Sequence, residues 1–163
     1  MALAKHGRVH LIVEIGNHDM SSAIFLAACM SALYENEPRV VVDDSPAKFH
    51  YFRFGKVLLG THHGDTVKPD KLGMVMAADR PKEWGETEFR YWFIGHIHHK
   101  SAKSFDGQEF TGCIVESLGI LPPADAYAAG RGYRSARDMK AITYSRNHGE
   151  ASRTTVNPAM LAA

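Results

Sequence analysis

Tyr91-Trp92-Phe93-Ile94-Gly95-His96-Ile97-His98-His99 is the stretch from which the rest of the chain can be read. An aromatic and apolar run of this length is a buried strand, and the glycine that follows it marks the end. The histidines then stand at the edge of the sheet. Side chains alternate along extended backbone, so His96 and His98 project to the same side if the chain stays extended. Two other stretches end in the same manner. Residues 9–15, rich in β-branched side chains, run into Gly16-Asn17-His18-Asp19. Residues 57–59 close in Gly60 and run into Thr61-His62-His63-Gly64-Asp65. Six of the ten histidines lie in these three motifs. Three apolar strands that release polar side chains at one end match how α/β proteins build sites, at the carboxyl ends of strands.

Between the motifs the pattern predicts a helix over 20–34, with apolar residues near helical spacing and Asp19, Ser21 or Ser22 as its N-cap. Pro38 breaks the chain before a short strand at 39–42. Residues 49–54 alternate and turn at Gly55-Lys56 into the strand at 57–59. A helix over 68–78 carries Pro69 in its first turn, and 81–88 reads as a polar loop holding Trp84. Further on, 104–110 reads as a hairpin around Asp106-Gly107, 113–117 as a strand and 124–137 as irregular or weakly helical chain. Strands at 139–145 and 153–156, joined by a turn at Asn147-His148-Gly149, close the sequence.

The 163 residues suit one domain with a real core, and 45% hydrophobic with 23% charged residues is ordinary for a globular protein. A net charge of +1 gives no general attraction to nucleic acid or membranes. Cys29 and Cys113 sit among apolar residues without a C-x-x-C pair, which reads as buried free thiols in a reducing compartment. No stretch approaches the roughly 20 apolar residues that span a bilayer, and residues 1–5 lack the apolar core of a signal peptide. The expectation is a cytoplasmic protein that does not engage a membrane.

Imidazoles and a side-chain amide oxygen are good ligands for Mn, Fe, Zn or Ni and poor ones for Ca. Two such metals about 3.5–4 Å apart polarise a phosphoryl oxygen and lower the pKa of a water between them. His18, with Asp19 beside it, is placed to protonate a leaving alkoxide.

On these residues the chain resembles the calcineurin-like metallophosphoesterases of bacterial and phage type. Gly16-Asn17-His18-Asp19, His63-Gly64 and Gly95-His96-Ile97-His98 match that family's last three motif blocks in order. The resemblance implies a four-layer α-β-β-α sandwich, two mixed sheets between helices. It implies that Asn17, His63 and His96 bind one metal and that His98 helps bind a second. His18 would be the general acid supported by Asp19, with His62 the alternative to His63 because the doubled histidine leaves the register open. The implied activity is metal-dependent hydrolysis of a phosphate monoester or diester.

The family's Asp-x-His and Gly-Asp-x-x-Asp blocks, which come first, have no counterpart, since the fifteen residues before Gly16 contain no aspartate. Three explanations follow. The chain is the C-terminal part of a longer enzyme, with its N-terminal part missing. Alternatively another chain supplies the absent ligands, or the protein is a catalytically incomplete metal- or phosphate-binding module. Loss of the first strand and helix would uncover apolar edges, favouring a homo-oligomer or poor solubility.

Positive charge is localised. Residues 131–153 hold Arg131, Arg134, Arg137, Lys140, Arg146 and Arg153 against Asp138 and Glu150, a net +4, leaving −3 elsewhere. One reading is nucleic-acid contact, through Arg131, Arg134 and Arg137 with Tyr127, Tyr133 and Tyr144 as stacking surfaces. The other is a solvated strand pair whose arginines balance acidic neighbours.

Overall fold

Alternation of large apolar side chains with polar or small ones builds the central sheet. Strands β1 (Val9–Ile12), β2 (Val40–Asp43), β3 (His50–Phe54), β4 (Val57–His62), β5 (Phe89–Ile94), β6 (Gln108–Phe110) and β7 (Cys113–Ser117) are followed by β8 (Met139–Ser145) and β9 (Gly149–Val156). The helices are α1 (Met20–Leu33), α2 (Leu72–Asp79) and α3 (Pro81–Glu86). The computed structural model describes residues 4–96, 107–110, 112–123, 130 and 137–161. His98, His99, Arg131, Arg134, Tyr127 and Tyr133 lie outside the described residues, as do residues 104–106 of the hairpin expected at 104–110.

Five strands form a mixed sheet in the order β3-β4-β5-β7-β6, while β1-β2 and β8-β9 are separate two-stranded sheets. The chain is therefore a mixed α/β protein with several sheets and few helices. Strands β4, β5 and β7 run parallel, with His62 opposite Ile94 and Ile94 opposite Ser117. Their carboxyl ends consequently lie along one edge.

One face of the five-stranded sheet holds the core. Leu58, Trp92, Ile94, Cys113 and Val115 pack there against Leu72 and Met76 of α2. Trp92 is fully buried, and Gly60 is needed beside it, because a Cβ there would come within 2.7 Å of the indole. The opposite face receives the two-stranded sheets. Phe52 of β3 meets His10 of β1 at 4.6 Å between ring centroids, and Tyr91 of β5 meets Tyr144 of β8 at 5.0 Å. Helix α1 contacts β2, burying Ala23 and Ala27, while Phe25 and Leu33 remain exposed.

Several expectations need correction. The polar loop expected at 81–88 is helix α3, for three physical reasons. Pro81 pre-sets the first turn, Thr87 Oγ1 donates to the Glu83 carbonyl at 2.7 Å, and Arg90 donates to the carbonyls of Trp84 and Thr87. Arg90 also lies over the Trp84 ring at 4.2 Å, and Trp84 packs against the core. The helix expected at 68–78 opens as a 3-10 turn, Pro69–Lys71, before α2 begins. The last strand starts at Gly149 rather than 153, because φ +72° at Gly149 tightens the hairpin. Cys29 is exposed, since α1 turns it away from the face that holds Ala23 and Ala27. Among the described residues no helix is long and apolar enough to cross a membrane.

Candidate functional site

Parallel pairing of β4 and β5 places the residue after each strand side by side. Gly95 N donates to the His63 carbonyl at 2.9 Å, joining the two loops where they leave the sheet. Gly64, at φ +100°, has only 3.2 Å between the position of a Cβ and the Gly95 carbonyl, so glycine is required for this close approach. His96 takes φ +57°, the left-handed region that a residue other than glycine enters at a cost of about 1 kcal/mol or more. That backbone turn brings its ring to the ring of His63, 5.1 Å between centroids and nearly perpendicular.

The third contributor comes from the turn between β1 and α1. His63 Nε2 lies 3.0 Å from Asn17 Oδ1 and 3.3 Å from His96 Nδ1. The three groups come from positions 46 and 33 residues apart in the chain. Burial holds the His63 imidazole below its usual value; the opposing pull of Asp65 and Asp19 is only partial, and His96 adds to the lowering. A neutral ring keeps a lone pair on one nitrogen, the form that binds metals.

Asp19 braces the turn. Its Oδ1 accepts from Gly16 N at 2.8 Å, and a Cβ on Gly16 would come within 2.7 Å of that oxygen and 3.3 Å of His63 Cε1. The carboxylate is thus engaged with Gly16 rather than with the exposed ring of His18.

His62 is fully buried. Its Nδ1 donates to the Lys48 carbonyl at 3.1 Å and its Nε2 faces Thr66 Oγ1 at 3.2 Å, with Phe49 stacked at 4.6 Å. Both ring nitrogens are engaged in tying the loop down. Lys48 Nζ also reaches Asp65 Oδ2 at 3.2 Å, so a second tether holds the chain just past His63.

The structure therefore gathers Asn17, His63 and His96, leaves His18 exposed beside them, and gives Asp19 a bracing contact. His98 lies outside the described residues. Among the described residues, no three His, Cys, Asp or Glu side chains converge as a metal-binding group; the cluster is two imidazoles and an amide. Of the basic residues near the C-terminus, Lys140 and Arg153 pair with the buried Glu116, Arg146 lies over Phe54 at 4.7 Å, and Arg137 Nε donates to the Leu121 carbonyl at 2.6 Å.

The bracing parts of Asp19 and His62 were not read from the sequence. The alternation along β4 contains the signal for His62, since Leu58, Gly60 and His62 share a face and the first two are core positions. Compared with protein-family models, with curated proteins and with solved structures, the chain gives no match.

Proposed function

We propose that this chain is a metallophosphoesterase domain in which Asn17, His63 and His96 hold a divalent transition metal ion and His18 delivers a proton to the leaving oxygen of a phosphate ester. The convergence of Asn17 Oδ1, His63 Nε2 and His96 Nδ1 carries this reading. Bonds of about 2.1 Å put neighbouring ligand atoms about 3.0 Å apart at right angles and about 3.4 Å apart at the tetrahedral angle. The separations of 3.0 and 3.3 Å fall in that interval. Hydrogen bonding alone serves the three groups poorly, because one proton on His63 Nε2 cannot satisfy both neighbours.

The donor set of two imidazoles and an amide oxygen fits Mn, Fe, Zn or Ni. Such an ion supplies Lewis acidity toward a phosphoryl oxygen and toward the attacking water. The chain's own residues do the rest. Asn17 and His63 orient the site through the braced turn and the tethered loop, and exposed His18 stands on that turn where a leaving group is accessible to it. Helices α2 and α3 on one face of the sheet, strand pairs on the other and α1 beyond β2 also agree with the four-layer sandwich that this reading entails.

The test is hydrolysis of bis-p-nitrophenyl phosphate by the metal-loaded protein. Mn-dependent turnover is expected, abolished in His96→Ala and reduced about 10²-fold or more in His18→Ala with metal content unchanged. Turnover that survives His96→Ala refutes the site.

A second reading, a metal- or phosphate-binding module without catalysis, is favoured by the lack of a carboxylate among the gathered groups. It gives metal bound at Asn17, His63 and His96 with no turnover under any metal, so activity and metal content measured together separate the two.

A further inference from the structure

A second polar cluster, separate from Asn17, His63 and His96, lies where β1 and β2 pack on the five-stranded sheet. His50 on β3 and Thr61 on β4 are directly opposed in the antiparallel register, so both side chains leave on the face that meets β1 and β2. Glu14, just beyond β1, lies over them, its carboxyl against the Thr61 hydroxyl and within the field of His50. Asp43, the last residue of β2, accepts from His50 Nδ1 at 2.8 Å.

The His50 side chain is only 1% exposed. Its Nε2, both carboxyl oxygens of Glu14 and the Thr61 hydroxyl oxygen are buried, and none has a hydrogen-bond partner of proper geometry. Four orphaned polar atoms in one place require an occupant, since buried polar groups are otherwise paired.

The balance of donors and acceptors says which kind. An ionised Asp43 only accepts, so the ring proton of His50 sits on Nδ1 and Nε2 presents a lone pair. Three acceptors, Nε2 and the two carboxyl oxygens, then face only the Thr61 hydroxyl proton and the Ile15 amide beside the carboxyl. Gathered lone pairs are stabilised by a positive centre. A carboxylate holding one ring nitrogen while the other stays free is also how proteins orient a metal-ligating imidazole.

We propose that His50 Nε2, the Glu14 carboxyl and the Thr61 hydroxyl bind one divalent transition metal ion, with Asp43 holding the imidazole in position. Mixed nitrogen and oxygen donors suit zinc or manganese rather than calcium. His62 lies near but adds no ligand, because both its nitrogens are engaged by Lys48 and Thr66. The ion joins the ends of β1 and β2 to β3 and β4. It thereby fixes the β1–α1 turn that carries Asn17 against the loop that carries His63. The inference does not depend on the proposed function.

The experiment uses the full chain with His63→Ala and His96→Ala together, which removes the other cluster. After chelator treatment the protein is titrated with cobalt(II) chloride, then with zinc chloride. One equivalent of bound cobalt with visible d–d absorption is expected. A rise in Tm of roughly 5–10 °C is expected at a metal concentration about a hundred times Kd. Glu14→Gln and Thr61→Val, each nearly isosteric and each added singly to that background, are expected to weaken binding at least tenfold and abolish most of the rise in Tm. His50→Gln is expected to do the same, and the two isosteric variants decide the matter if it does not fold. The proposal is overturned if the double variant binds no metal and its Tm does not move, which would leave water or shared protons in the cluster. Undiminished binding in Glu14→Gln overturns it equally.

Discussion

His62 and His63 are adjacent in sequence, yet β4 ends between them, so that the first closes the strand and the second leaves the sheet. The first is enclosed by Phe49, the Lys48 carbonyl and Thr66; the second meets Asn17 and His96 beyond the strand end. Truncation should separate their parts. His62→Ala removes a fully buried ring and two hydrogen bonds, and is expected to cost about 3 kcal/mol in urea unfolding with chelator present. His63→Ala, on a partly exposed ring, is expected to stay within about 1 kcal/mol under the same conditions while losing the metal of the proposed site. A similar stability loss in both would mean that the two rings share one structural duty. Residue types alone did not separate these neighbours. The separation rests on the two-residue period of β4, which puts His62 in line with Leu58 and Gly60.

At the scale of elements, the β8-β9 hairpin is bound to the sheet through a buried charge cluster. Glu116 of β7, with its side chain 3% exposed, receives Lys140 of β8 and Arg153 of β9, and Arg153 also reaches Glu150 at 2.7 Å. Hydrogen bonding to Glu150, opposed in part by burial, raises the affinity of the Arg153 guanidinium for its proton. Glu116→Ala leaves the buried Lys140 ammonium uncompensated and Arg153 with Glu150 alone, with an expected loss of about 3–5 kcal/mol. Hydrogen exchange should show the β8 and β9 amides opening first; uniform loss of protection across the sheet would show that the cluster does not hold the hairpin alone. These contacts also account for two of the basic residues that the sequence left open between nucleic-acid contact and pairing with acidic neighbours. Which neighbours they pair with was not readable, because Glu116 is 24 and 37 residues away from them. Helix α3 was missed for a related reason: Arg90, which holds its carboxyl end, comes from the following strand.

Over the whole molecule, the two cysteines report on packing. Cys113 belongs to the core beside Trp92 and Val115, and burial pushes its thiol above the usual range, while Cys29 lies exposed on α1. A thiol reagent is expected to modify one cysteine quickly in the native protein and the second only as the chain unfolds. Two fast equivalents would mean that the face covered by α2 and α3 opens readily. The features legible in the residues alone were local and periodic. The strand that stops before Gly95, the helix after Asp19 and the turn at Gly55 follow from alternation, helical spacing and glycine's freedom, which act within a few residues, whereas β1 already stops at Ile12 and β4 runs on through Gly60 to His62. Tertiary structure alone decided which polar side chains meet. The parallel register of β4 with β5 sets His63 beside His96, and the packing of β1 against β3 brings in Asn17 and lays Glu14 over His50 and Thr61. Those pairings depend on strand order and on which face each strand presents. Both are settled by burying apolar surface across the whole chain, not by any one stretch of it.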